Sequence, residues 1–214
     1  MKDLFKSSDL SDTNILLKIS EMIGKGNLII YPTDTVYGLG ASISHKSSLD
    51  KIYSVKERDN NSPLIALLSD KKYLEKIAII NDLNRDKIEK LIANFWPGGL
   101  TIILEKKEII PSNMVSNGSS IGVRIPELEE SIKIIESCGG ILATTSANIS
   151  GEPTPRSYKE LGEVIKDRVE IIIEYKEKLK GVESTIIDMR SIPKILRVGH
   201  ITKIEIEKII GKVN

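Results

Sequence analysis

Of the 214 residues only one is cysteine, Cys138, and two are histidine, His45 and His200. A lone thiol excludes an intrachain disulfide framework and a cysteine-based metal site. The two histidines lie far apart and form no H-x-x-x-H pair, so no metal ligand set is expected from them. Aromatic residues make up 4% of the chain, which leaves an aliphatic core; isoleucine alone is roughly one residue in six, well above average usage. No charge bias exists either: 31 Lys+Arg stand against 30 Asp+Glu, a net charge of +1. That balance excludes a histone-like binder but leaves room for a local basic pocket. No apolar run approaches the ~18 residues of a membrane span. The opening MKDLFKSSDLSD carries no apolar stretch of signal-peptide type, so the expected address is the cytosol. The usual phosphate-binding and hydrolase motifs are missing as well. There is no G-x-x-x-x-G-K-[ST], Gly38-Leu39-Gly40 lacks the third glycine of G-x-G-x-x-G, and no histidine accompanies a G-x-S-x-G.

What is present reads as one domain, 1–214, of globular composition, with 40% hydrophobic and 29% charged residues. Helical and strand patterns alternate. Ile15, Leu16, Ile19 and Ile23 share one face of a helix over 12–23, stopped by Gly24 and Gly26. Further helices are expected at 47–56, 70–78, 82–95, 127–138 and 158–166. A final one opens on the Thr202/Glu205 capping box. Strands are expected at 27–32, 63–68, 100–105, 120–126, 141–145, 169–175, 184–189 and 194–199. The alternation predicts an α/β layer fold, and the paired strands near 100–126 and 184–199 predict a sheet that mixes parallel and antiparallel pairs.

Hydroxyl, amide and cationic residues collect at strand ends. YPTDTVYGLG (31–40) follows the first strand, Lys56 and Arg58 precede the second, Ser120 and Arg124 flank another, and Thr144, Ser146 and Asn148 close the next. Ser184 and Arg197 bound the last pair. Ligands of α/β sheets commonly sit at strand ends, and cations with hydroxyls and few carboxylates suit a phosphate-bearing anion. Taken singly, each has a plain structural reading. Lys56 and Arg58 read as a solvated helix end, Ser146-Ala147-Asn148 as a turn, Gly38 and Gly40 as turn glycines, and Arg124 as a solvent-facing strand residue.

In combination, YPTDTVYGLG, Lys56-Glu57-Arg58, PLIAL, FWPGGLTIIL, VRIP, TSANISGEPTP, ESTIID and ILRVG resemble, in order and over about residues 29–201, the YrdC/Sua5 family of L-threonylcarbamoyladenylate synthases. The resemblance implies a twisted mixed sheet with surrounding helices and a positively lined central cavity. It implies formation of threonylcarbamoyl-AMP and pyrophosphate from L-threonine, bicarbonate and ATP, with Mg²⁺ on the ATP. It further implies delivery to separate transfer proteins that modify adenosine 37 of tRNA (t6A). Residue by residue, it places Lys56 and Arg58 on the ATP phosphates and substrate as the catalytic pair. Ser62, Ser120, Ser146, Asn148, Thr154 and Arg197 fall on the ATP side, and Thr35, Arg124, Thr144 and Ser184 on the threonine side, with no protein-held metal. Leu67 stands where many members have histidine and Arg156 where a small residue is usual. The short chain resembles the form without the C-terminal Sua5 extension. A carbamate nucleophile is already an anion, so no general base is required, which suits a site poor in histidine. The competing reading is a basic module that grips double-stranded RNA or tRNA without chemistry.

Overall fold

The computed structural model describes residues 2–57 and 62–214. The strands are β1 (Asp3–Lys6), β2 (Ile29–Tyr31), β3 (Gly38–Ser42), β4 (Ile65–Leu68), β5 (Ala78–Ile79), β6 (Leu100–Lys106), β7 (Ser120–Arg124), β8 (Ile141–Ser146), β9 (Ile171–Glu174), β10 (Thr185–Asp188) and β11 (Lys194–Arg197). The helices are α1 (Thr13–Gly24), α2 (Lys46–Lys56), α3 (Leu74–Ile77), α4 (Arg85–Phe95), α5 (Glu129–Ser137), α6 (Glu163–Asp167) and α7 (Lys203–Ile210). All the strands join one sheet in the order β1-β9-β2-β3-β8-β4-β7-β6-β10-β11, with β5 beside β6. Pairs β1·β9, β2·β9, β4·β7 and β6·β10 are parallel and the rest antiparallel, so the expected mixed sheet is present.

The elements follow from local chemistry. Asp12 caps α1 by accepting from the Asn14 N–H at 2.8 Å, and Thr202 with Glu205 forms the expected capping box of α7. The helix expected at 70–78 is instead a 3₁₀ turn at Lys71–Tyr73, the single turn α3 and the strand β5; 158–166 likewise divides into a 3₁₀ turn and α6. The glycine-rich run 38–42, read as a turn, is the strand β3. Its glycines serve close packing rather than turning. A Cβ on Gly38 would lie 2.9 Å from Thr144 Cγ2, and one on Gly40 2.9 Å from Tyr31 Cε1.

Period-2 alternation divides the sheet into two faces. Ile30, Leu39, Ala66, Ile102, Val123 and Ala143 belong to the larger aliphatic core. Ile29, Tyr31, Leu67, Leu142, Ile171 and Ile173 face the smaller core, which is closed by Ile19 and Ile23 of α1 and Ile134 and Ile135 of α5. Ile65 and Leu67 pack against this smaller core and also line an open cavity, so helices cover only part of that face.

Candidate functional site

The cavity has a volume of about 390 Å³, within the range of small-molecule sites. Its polar lining comes from the turn after β2, the end of α2, the ends of β7 and β8, and the β10–β11 hairpin. Thr35, Lys56, Arg124, Thr144, Ser146, Asn148, Ser184 and Arg197 all line it, so the sheet brings together residues spread over more than 160 positions of chain. Among the described residues three cations, Lys56, Arg124 and Arg197, line it against one carboxylate, Glu183.

Arg124 is not a solvent-facing strand residue; it is 3% exposed. Its Nε donates to Gly98 O at 2.8 Å, Nη1 to Thr35 Oγ1 at 3.0 Å, and Nη2 to Asp34 Oδ1. Burial lowers the guanidinium pKa, and the Asp34 carboxylate opposes that shift. Asp34 Oδ1 also accepts from Glu127 N–H at 3.1 Å, while Oδ2 is buried without a partner. A guanidinium has five N–H donors, and three are engaged, so two remain for a ligand in the cavity. Thr35 is itself held by Thr33, whose Oγ1 lies 3.1 Å from Thr35 Oγ1 and donates to Val36 O at 2.6 Å.

Lys56 is likewise not a solvated helix end. Leu49, Ile52, Tyr53 and Lys56 follow i, i+3, i+4, i+7 spacing, which places the lysine on the buried stripe of α2, and it is 2% exposed. Its Nζ donates to Ser146 O and Asn148 O, both at 2.5 Å, and to Asn148 Oδ1 at 3.2 Å. The lysine thus fixes the S-x-N loop as well as lining the cavity. Glu57 follows in the left-handed region at φ 52° and ends the helix. Arg58, the other half of the expected pair, lies outside the described residues.

Arg197 occupies the rim. Its Nη1 pairs with Glu183, Nε and Nη2 donate to Ser184 O at 3.2 and 3.0 Å, and Ser184 Oγ meets Thr101 Oγ1 at 2.8 Å. Thr144 Oγ1 lies 2.8 Å from the hydroxyl of fully buried Tyr31. Leu67, Ile65 and Ile186 give the cavity an apolar wall.

Three expected residues stand apart from this cavity. Ser120 begins β7 opposite Glu105, four residues before Arg124 and roughly 13 Å from it along the strand. Ser62 is half-buried next to Pro63, which does line the cavity. Thr154 lines a second cavity of about 630 Å³ with Arg156 and Glu160; Asn148 borders both cavities. Asp34 and Tyr31 were not anticipated as site residues. The signal for Asp34 was a carboxylate within a buried hydroxyl-rich run, matched in sequence by an arginine inside an apolar strand. Among the described residues no group of three or more His, Cys, Asp or Glu could hold a metal, and no helix is long and apolar enough to cross a membrane.

Comparison with known proteins identifies the chain's relatives. A threonylcarbamoyl-AMP synthase of Pyrococcus abyssi is 38% identical over 192 residues, 89% of this chain and 56% of that protein. The threonylcarbamoyl-AMP synthase of Bacillus subtilis is 32% identical over 201 residues, 93% of this chain and 57% of that protein. The chain therefore spans a little over half the length of these curated relatives. The solved structure of P. abyssi Sua5 complexed with L-threonine superposes with a TM-score of 0.87 at 36% identity, covering 92% of this chain and 58% of that one. The family model for Sua5, YciO and YrdC, described as "Telomere recombination", matches residues 21–199. Because that match covers residues 21–199, well over half of the chain, this chain belongs to the Sua5/YciO/YrdC family.

Proposed function

We propose that the cavity binds L-threonine and ATP and forms threonylcarbamoyl-AMP. The observation that carries this reading is Arg124: a buried guanidinium held by Gly98, Thr35 and Asp34, with two N–H donors left over, at a cavity that Ile65, Leu67 and Ile186 also line. A structural relative of the same fold binds L-threonine. Two N–H donors of one guanidinium suit the two oxygens of a carboxylate.

In the proposed reaction the threonine amine attacks bicarbonate carbon and water leaves, giving N-carboxy-threonine. A carbamate oxygen then attacks the α-phosphorus of ATP, the bond to the β,γ-bridged leaving group breaks, and pyrophosphate departs. The threonine ammonium gives up a proton to solvent before it attacks bicarbonate; the carbamate that then attacks phosphorus is already an anion, so that step needs orientation and neutralisation rather than a general base. Arg124, Thr35 and Thr144 hold the amino acid. Lys56 fixes the loop carrying Ser146 and Asn148 and adds positive charge at the cavity. Arg197 supplies the outer cation, with Ser184 at its side. Asn148 links this cavity to the second one, where Thr154 and Arg156 would meet the distal part of the nucleotide. Ser62 and Ser120 belong to the ATP side of this proposal through the family resemblance alone. Positioning and preorganised charge can each lower such a barrier by several kcal/mol, on the order of 3–10. Magnesium enters as the counter-ion of ATP, since the lining's one carboxylate, Glu183, is paired with Arg197. Transfer proteins that carry the group to tRNA, and a cytosolic setting, complete the proposal. The RNA-gripping alternative is not favoured: the curated relatives are named as synthases, and the cavity is of small-molecule size.

The test is pyrophosphate release together with the mass of the adenylate formed from labelled bicarbonate. Release that requires both threonine and bicarbonate, with one labelled carbon in the product, supports the reading. Release that is indifferent to either one overturns it.

A further inference from the structure

The Tyr31 hydroxyl is buried beneath the cavity, and either partner of its hydrogen bond to Thr144 has a proton to give. Tyr31 is 0% exposed, and among the described residues its hydroxyl has a single hydrogen-bond partner, Thr144 Oγ1, at 2.8 Å. The ring gains that position because Gly40 and Gly38 on the neighbouring strand have no side chain; a Cβ on Gly40 would stand 2.9 Å from Tyr31 Cε1. A buried phenol needs an acceptor for its proton. With one candidate, Tyr31 donates and Thr144 Oγ1 accepts. The Thr144 hydrogen is then left over. Inside the protein its alternative acceptor is Leu142 O at 3.4 Å, at the far limit of a hydrogen bond. The other direction is the cavity, which Thr144 lines.

We propose that Tyr31 is a positioning residue that sets the polarity of the Thr144 hydroxyl, so that Thr144 presents a donor to an oxygen of the bound amino acid and disfavours an ammonium at that point. This rests on the reading of the cavity as a threonine site and adds to it an orientation: the carboxyl or hydroxyl oxygens of the ligand, not its amine, meet the β8 side. Burial also raises the phenol pKa, so Tyr31 stays protonated at working pH.

Two measurements test it. In the first, Tyr31→Phe keeps the ring and removes one hydroxyl. The threonine KM should rise about 2–13-fold, the scale of one neutral hydrogen bond of ~0.5–1.5 kcal/mol, with kcat and the ATP KM nearly unchanged. Adding Tyr31→Phe to Thr144→Val should bring no further rise. An unchanged threonine KM in folded Tyr31→Phe, or an equal additional rise in the Thr144→Val background, overturns the proposal; the second outcome marks a packing role. The other measurement needs no ligand. Thr144→Val strands the Tyr31 proton, so the Tyr31→Phe/Thr144→Val protein should melt higher than Thr144→Val alone. A double variant that melts no higher shows that the Tyr31 hydroxyl does not depend on Thr144 and overturns the proposal. Should the wild-type protein show no saturable dependence on threonine, the threonine reading fails on its own terms, and the melting comparison still tests whether the Tyr31 hydroxyl depends on Thr144 as its partner.

Discussion

Arg124 and Arg197 face the same cavity from opposite settings. Arg124 lies inside β7, 3% exposed, and its charge is met by Asp34, whose side chain is as buried as its own. Arg197 ends the edge strand β11, with its side chain 41% exposed and its partner Glu183 35% exposed. Removing one member of a buried pair abandons a charge in a low-dielectric site, whereas an exposed pair is screened and contributes ~0–1 kcal/mol. Two similar residues in one site are therefore expected to differ sharply in what their loss does. Loss of Arg124 should touch binding and folding together; at Arg197 the two should be nearly separable.

The largest effect should come from Arg124→Ala, which leaves Asp34 buried and unpaired. A loss of about 3–5 kcal/mol in stability is expected, read by denaturant unfolding. A loss below ~1 kcal/mol would mean that water reaches Asp34 and that the two arginines are not so different. Lys56→Ala should follow, at roughly 1–3 kcal/mol, because Nζ ties Ser146 O and Asn148 O together inside the protein. Synthesis should fall with it, as the S-x-N loop loses its anchor. A fully stable Lys56→Ala protein would return the lysine to the solvated helix end that its sequence position suggested. Arg197→Ala should change stability by less than ~1 kcal/mol and raise the ATP KM. The last prediction changes the ligand rather than the protein: serine in place of threonine should cost 10–200-fold in kcat/KM, about 1–3 kcal/mol for one methyl group at a cavity lined by Ile65, Leu67 and Ile186. Equal values for the two amino acids would remove the apolar wall from the threonine site.

The sequence made the sheet class, most element positions and the site motifs legible, because apolar periodicity and strand-end polarity report directly on burial. The failures share one cause: a residue's environment depended on a distant segment. Gly38 and Gly40 looked like turn glycines, yet β3 needs them because Tyr31 and Thr144 pack against that strand. Lys56 looked exposed because it sits at a helix end, although its spacing from Leu49, Ile52 and Tyr53 already placed it on the apolar stripe. Arg124 read singly as a solvent-facing strand residue and, through the family resemblance, as a threonine-side residue. The structure buries it against Asp34, 90 positions away in sequence. Ser120 and Thr154 carry family motifs yet lie away from the main cavity, since motif order fixes sequence spacing and not which cavity a side chain enters.

The contrast between the two arginines is tested most directly by steady-state kinetics of Arg124→Lys and Arg197→Ala, varying threonine and ATP in turn. A lysine keeps the charge beside Asp34 but cannot reproduce the guanidinium fork. Arg124→Lys should raise the threonine KM about 10–150-fold, the equivalent of ~1.5–3 kcal/mol for a hydrogen bond to a charged group, and leave the ATP KM within about twofold. Arg197→Ala should do the reverse. Both variants moving the same KM, or Arg124→Lys binding threonine normally, would contradict the assignment of the buried arginine to the amino acid.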